Sequence, residues 1–401
     1  MARYSFGHEI VATLFFTLAL MTIEGGVVAV FARQTFDGIV PRTSLNFAVA
    51  VLGAMNELGN ILSFMWTPLA AGRRIIPFIN GLQIGVIGMI AMVALLPTAP
   101  AGLWMLVLLV LLARLCWSGM ITMRTGVWRS NYPARVRARI VGMVASMQVL
   151  IVAAGGAGLG YLLDHNREAF RYVIPVACVL ALIAVRSYRR IRVRHEWKLL
   201  RPPRPGHGVM KPWMGPLVVV RVLRQDRRFA QFMYIMFLFG FGNLMVNPIL
   251  VITLREQFGF KYFASILVTS SIQQVVQIAF IPLWAKFLDR AHVVKFRSWH
   301  SWVFVAGTLV FLLAAAMHRV ELMFVGAGIL GIAMAGGALA WNLGHVDFSP
   351  PSETSHYMAT HVTLNGVRGL LAPVAAVSGL SLIHISEPTR LRRISYAVFC
   401  L

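Results

Sequence analysis

The sequence predicts an all-α polytopic membrane protein, and three observations carry that prediction. Eleven hydrophobic segments recur along the 401 residues, most of them reaching the roughly 17–25 apolar residues that a helix needs to cross a bilayer. Hydrophobic residues make up 58% of the chain and charged residues 13%, with a mean hydropathy of +0.73. A water-soluble domain cannot hide that much apolar surface. Finally, the segments fall into a group of six and a group of five, separated by one long basic stretch from about Arg186 to Arg228.

The first span, 10–31, follows Ala2-Arg3-Tyr4-Ser5 with no cleavage site, so it reads as an uncleaved helix. It sets Thr13, Thr17 and Glu24 along one side and is interrupted at Glu24-Gly25-Gly26. The second, 45–70, carries Asn56-Glu57-x-x-Asn60 near its middle. The fourth, 102–123, has Arg114 at its centre, and the fifth, 140–162, has Gln148 followed by Gly155-Gly156-x-Gly158-x-Gly160. The third, sixth and ninth, 75–96, 171–186 and 299–316, hold no acidic residue, arginine or lysine between their ends. The seventh, 230–253, contains Gly240-Phe-Gly-Asn243-Leu-Met-Val-Asn247-Pro248, which predicts a second helix break. The eighth, 263–285, aligns Ser270, Gln273 or Gln274, and Gln277. After the tenth, 320–341, the eleventh, 357–379, aligns His361, Asn365 and Arg368.

Lys and Arg total 37 against 14 Asp and Glu, a formal net charge of +23. In a soluble protein this would point to nucleic acid. Here the excess falls in alternate loops: at Arg3, at Arg73-Arg74, over 124–139, along the central stretch and over 286–297. That bias places the N-terminus in the cytoplasm, gives the bilayer's anionic lipid as the partner of the basic loops, and leaves no nucleic-acid role. Arg201-Pro-Pro-Arg-Pro-Gly within the central stretch reads as a flexible connector.

The two groups resemble each other. A shift of 217 positions lays Asn56-Glu57-x-x-Asn60 over Gln273-Gln274-x-x-Gln277, and Gln148 over Asn365. Polar, glycine-rich breaks at corresponding positions of two repeats are where transporters build their binding sites. Glu57, Arg114 and Arg368 sit near the middles of their spans, at a common depth where an unpaired charge costs at least ~2.5–3.5 kcal/mol.

With this pattern the chain resembles the major facilitator superfamily over residues 1–379. The family's loop motif between its second and third helices survives as Gly72-Arg73-Arg74, and the second copy as Asp289-Arg290. The resemblance implies two six-helix bundles related by a pseudo-twofold axis, with eleven helices present and the twelfth missing. It divides the chain into an N-terminal bundle at 1–185, a cytoplasmic linker at 186–229 and an incomplete C-terminal bundle at 230–379. It implies a secondary transporter of one small solute, working as a monomer in a bacterial cytoplasmic membrane by alternating access and drawing on a proton gradient, with no bound cofactor and no metal.

On that reading the substrate- or proton-binding residues are Glu24, Glu57, Arg114, Asn243, Asn247, Gln274, Gln277, Asn365 and Arg368. Gly72, Arg73, Arg74, Asp289 and Arg290 are the gating-loop residues. The rival readings are a polytopic lipid-modifying enzyme and a non-transporting sensor of the same fold. Residues 380–401, which include Leu380-Ser-Leu-Ile-His-Ile-Ser-Glu-Pro-Thr-Arg390, resemble a translated sequencing-library adapter and are expected to be foreign to the protein. His345, Asp347, Glu353 and His356 crowd one loop but match no metal-ligand spacing.

Overall fold

The computed structural model describes residues 2–166, 168–196, 215–260, 264–265 and 267–386; among these every regular element is helical. The first span is α1 (Ala2–Leu20) and α2 (Gly25–Phe36), joined through a 3-10 turn at Met21–Ile23. The second is α3 (Arg42–Ile61), continued by a 3-10 turn at Leu62–Met65 and by α4 (Trp66–Ala70). The third to sixth are α5 (Ile75–Val93), α6 (Pro100–Asn131), α7 (Ala134–His165) and α8 (Phe170–Tyr188). The stretch read as linker ends in a helix, α9 (Gly215–Gln225). The seventh span is α10 (Arg227–Glu256), and the eighth is a π-turn at Leu267–Ser271 leading into α11 (Ile272–Leu288). The last three are α12 (Val293–Met317), α13 (Val320–Leu343) and α14 (Thr354–Ser386).

Local chemistry explains the ends. Pro100 opens α6, where its missing N–H removes nothing a helix would use. Asp226 caps α10 by accepting the Phe229 N–H at 2.9 Å. Asp347 is a cap too: its Oδ2 accepts the Val293 N–H at 2.8 Å at the start of α12.

Ten helices are long and apolar enough to cross a membrane among the described residues, against the eleven expected; α14 is not one of the ten. It has ample length at 33 residues. It runs to Ser386, seven residues into the stretch expected to be foreign, and residues 387–401 lie outside the described residues.

The expected break in the seventh span is not there. α10 is helical without interruption from Arg227 to Glu256, through both glycines and Pro248. A proline deletes one backbone donor, and glycine only lowers propensity, so neither must unwind a helix supported by its neighbours. Several spans are also longer than their apolar cores: α1 includes Glu9, α6 includes Arg124, and α12 includes Arg297.

The two halves meet through α3 and α6 against α14, and through α7 against α11 and α13. In span numbers these pairs are 2 with 11, 4 with 11, 5 with 8 and 5 with 10. Adding or subtracting six exchanges 2–11 with 5–8, and 4–11 with 5–10, so the set maps onto itself. That is the signature of a twofold relation between the halves, and it is the repeat that the 217-residue shift predicts.

Candidate functional site

At the break in the first span, Glu24 adopts an extended backbone (φ −64°, ψ 139°) between the 3-10 turn and α2. A break leaves backbone carbonyls without helical partners. Arg114 fills the gap from α6: its Nη2 donates to the Ile23 carbonyl at 2.7 Å and to Glu24 Oε2 at 2.9 Å. Arg114 is almost fully buried, while the Glu24 side chain keeps 39% of its surface exposed. The pair therefore has a dry side and a wet one.

On α3, Glu57 faces the other half. The Asn56 side-chain amide reaches its Oε1 at 3.5 Å, whereas its Oε2 is buried without a hydrogen-bond partner. Gly366 and Gly369 of α14 pack directly on it. A Cβ at Gly366 would stand 2.6 Å from both the Glu57 carbonyl oxygen and the Ile61 nitrogen, and a Cβ at Gly369 would overlap the Glu57 carboxylate.

Between those two glycines on α14, Arg368 donates through Nη1 to the Met236 carbonyl at 2.8 Å and through Nη2 to Asn365 Oδ1, while its Nε is buried and unpartnered. Gly240 of α10 lies under the guanidinium, which a Cβ there would strike. The glycine that the sequence offered as a helix breaker thus serves as space for an arginine.

The amides of the eighth span are partly self-satisfied. The π-turn leaves the Val268 carbonyl to accept from Gln273 Nε2 at 2.9 Å, and Gln274 Nε2 donates to Ser270 Oγ at 2.8 Å. Gln277 is buried. Asn243 is half-buried on α10; the Asn247 side chain lies outside the described residues.

The loop residues divide. Asp289 spans the halves, its carboxylate accepting the backbone N–H groups of Ala138 at 2.7 Å and Arg139 at 3.2 Å. Burial pushes its carboxyl above the ordinary value, while those two N–H groups and the charges of Arg139 and Arg137 pull it back. Among the described residues Gly72, Arg73, Arg74 and Arg290 make no hydrogen bond or ion pair between the halves; Arg74 is highly exposed and turns to Glu196 at the start of the linker at 3.4 Å.

Every hydrogen bond between the halves among the described residues lies on the side of Glu57 nearer the face that bears the N-terminus. Besides those of Asp289, they run from Ser63 Oγ to the Ala359 carbonyl (3.1 Å) and Thr363 Oγ1 (3.0 Å), and from Arg129 to Ser349 Oγ (2.8 Å) and the Val346 carbonyl. The seam is latched on that face.

Two clusters escaped the sequence reading. In the first half, Glu9 is fully buried and pairs with Arg124 at 2.5 Å; Trp128 Nε1 donates to it at 3.0 Å, the Tyr132 hydroxyl at 3.4 Å, and Arg124 also donates to Thr13 Oγ1 at 2.9 Å. The cluster borders a cavity of about 10 Å³, the size of one water, lined also by Thr17, Gln83, Gln148 and Tyr188. Hydropathy ended the spans one residue short of both charges; the i, i+4 run Glu9-Thr13-Thr17 was the available signal. In the second half, Arg297, His300, His345 and His361 gather behind Arg368. Burial drives His345 well below the ordinary histidine value, with His361, Arg129 and Arg137 adding to it.

A latched seam between two half-symmetric helical bundles, with a carboxylate and two arginines at mid-depth, defines a polytopic membrane protein of transporter architecture. The sequence matches the family model of the Major Facilitator Superfamily over residues 10–373, and the chain belongs to that superfamily. Among solved structures it is similar to the proton:xylose symporter XylE (TM-score 0.70, 13% identity, covering 99% of this chain and 92% of that one). It is also similar to the E. coli fucose:proton symporter FucP (0.70, 10%, 99% and 96%) and to the human organic anion transporter MFSD10 (0.64, 15%, 100% and 95%). At these identities the likeness is one of fold. No curated protein sequence matches the chain.

Proposed function

We propose that this chain is a secondary transporter that moves one small polar solute by alternating access, with the N-terminal face cytoplasmic and the present arrangement open outward. The observation that carries the reading is the distribution of bonds along the seam: from Glu57 to the N-terminal face the halves are tied, and those ties are a few side chains on helix ends, which a rocking motion can break and remake. The basic loops support the orientation. Glu57 is the candidate proton site, because it lies at the seam with one oxygen unpaired. Arg114 and Glu24 hold the pivot of the first span, and Arg368 with Asn365, Asn243, Gln274 and Gln277 faces the solute from the second half. Asp289 acts as the gate latch, and the unit of function is one chain in a bacterial cytoplasmic membrane.

The test is solute flux into vesicles reconstituted with the purified protein, over a panel of sugars, organic acids and amines, with Arg114→Ala as the companion variant. The expected result is saturable flux of one class, abolished in Arg114→Ala while the protein still inserts. A protein that reconstitutes fully and moves nothing in the panel, under a pH gradient in either direction, would remove the transport reading in favour of a sensor.

A further inference from the structure

The inward-facing cations of the two halves differ. In the first half the two fully buried arginines each have a carboxylate: Arg114 has Glu24 at 2.9 Å and Arg124 has Glu9 at 2.5 Å. In the second half the half-buried Arg297 and Arg368 have none within ion-pair distance among the described residues, and all the acidic residues of that half's described residues stand at helix ends or in loops: Asp226, Glu256, Asp289, Glu321, Asp347 and Glu353. Packing links the two: Arg297 bonds His300, the His300 ring packs on Phe304 and Phe304 on Phe239 (centroids 5.3 and 5.5 Å apart), and the next residue, Gly240, lies under the Arg368 guanidinium; His361 stands two turns before Arg368 on the same face of α14.

Their donors are also unspent. Arg297 Nε, Arg368 Nε and His361 Nε2 are each buried without a partner, and His361 keeps only 7% of its surface exposed. His300 does not compensate. Its Nε2 donates to the Ala333 carbonyl at 2.6 Å, so its Nδ1 is the acceptor for Arg297 Nη1 at 3.4 Å and the ring is neutral. Trp284, Phe296 and Phe304 enclose that ring at 5.1–5.4 Å between centroids, which keeps water from screening the charge. Arg297 and Arg368, half-buried beside the buried His361 imidazole and with Nε donors free, have between them one nearby carboxylate, Glu57 across the seam, so the region carries an excess of positive charge that an anion would offset.

We infer that Arg297, His361 and Arg368 form an oxyanion site inside the second half, and that the solute carried is a small molecule bearing a carboxylate or phosphate. The inference deepens the transport reading and rests on it for the claim that the bound anion is the cargo. The anion would satisfy the two guanidinium forks and take the Nε2–H of His361. It would draw Arg368 away from Glu57, which gives the seam carboxylate a reason to bind a proton in the same step.

The site is tested by thermal unfolding of the purified full chain in detergent, titrated with inorganic phosphate and with succinate. Sodium chloride at matched ionic strength and D-xylose are the controls. One oxyanion should raise the melting temperature saturably, and neither control should. Arg297→Gln should weaken that response by at least about tenfold, since it removes charge-assisted donors. Without anion it should melt no lower than the wild type, because an uncompensated buried charge is gone. Should Arg297→Gln fail to fold, Arg297→Lys serves in its place: it keeps the charge, loses the fork and should still lose most of the response.

Equal shifts with chloride and phosphate, or a full response in the folded Arg297 variant, would overturn the site. The two readings separate in the vesicle assay. Oxyanion binding without flux leaves the site and removes the transporter, whereas flux of a neutral solute with no oxyanion response does the reverse.

Discussion

Gly240→Ala isolates the placement of Arg368 without touching a polar group. The added Cβ would overlap Arg368 Nη1, whereas at Gly242, two residues further along the same helix, a Cβ meets nothing within 4 Å. The arginine is flexible and can retreat, but retreat sacrifices the bonds to the Met236 carbonyl and Asn365. Charge-assisted bonds contribute about 1.5–3 kcal/mol each at most. A half-buried group that finds new partners recovers part of this, so about 1–3 kcal/mol is the expected gross loss. Against it stands a gain of about 0.5–1 kcal/mol for alanine over glycine in a helix. Gly240→Ala should therefore melt below the wild type by the equivalent of up to about 2.5 kcal/mol, and Gly242→Ala at or above it. The assay is fluorescence-monitored thermal unfolding of both variants in one detergent, followed by flux in vesicles, where Gly240→Ala should be impaired and Gly242→Ala normal. Two variants with the same melting temperature and the same flux would refute the argument that Gly240 exists to admit the guanidinium.

Gly366→Ala brings a Cβ against the backbone of α3, which cannot yield as a side chain can; the seam should part, and a cysteine placed at Ser63 should react with thiol reagents faster than in the wild-type background. Removing Glu9 by Glu9→Ala leaves Arg124 as an uncompensated buried charge and orphans the Trp128 and Tyr132 donors, so stability should fall by about 3–5 kcal/mol in chemical denaturation. Glu57→Gln keeps shape and hydrogen bonding but deletes the titratable group, so flux should persist while its dependence on a pH gradient disappears. Glu24→Gln is the control, and wild-type pH dependence in both variants would exclude carboxylate-based coupling at these positions.

The lipid-imposed part of the fold was legible because hydropathy, loop charge and the six-and-five division are each strong and agree. What failed was the extrapolation from residue type to backbone. Glycine and proline in the seventh span read as a break, yet α10 stays whole, because neighbouring helices decide whether a weak helix former unwinds. The same signal in the first span was right, since two adjacent glycines follow a residue whose partner, Arg114, can satisfy the freed carbonyl. The charges at Glu9, Arg124 and Arg297 were invisible to a hydropathy window, which ends a span where the apolar run ends rather than where the helix does. The link between Gly240 and Arg368 belongs to three-dimensional packing and has no sequence signal at all.

The break at Glu24 also has a mechanical meaning. α2 is a 12-residue lever, about 18 Å long at the usual helical rise, attached to α1 through the Met21–Ile23 turn and one extended residue, Glu24. A swing of about 10° about that residue carries the lever's tip roughly 3 Å, about the width of a water molecule. The arginine holding the Ile23 carbonyl and the Glu24 carboxylate grips the fulcrum and not the arm. The arm itself is packed, with Phe31, Ala32 and Phe36 buried in the core of the first half, so a swing of the lever must carry its neighbours with it. Such a joint concentrates movement in very few torsions, and substitutions at Gly25 or Gly26 should alter how fast the lever swings before they alter what the protein binds.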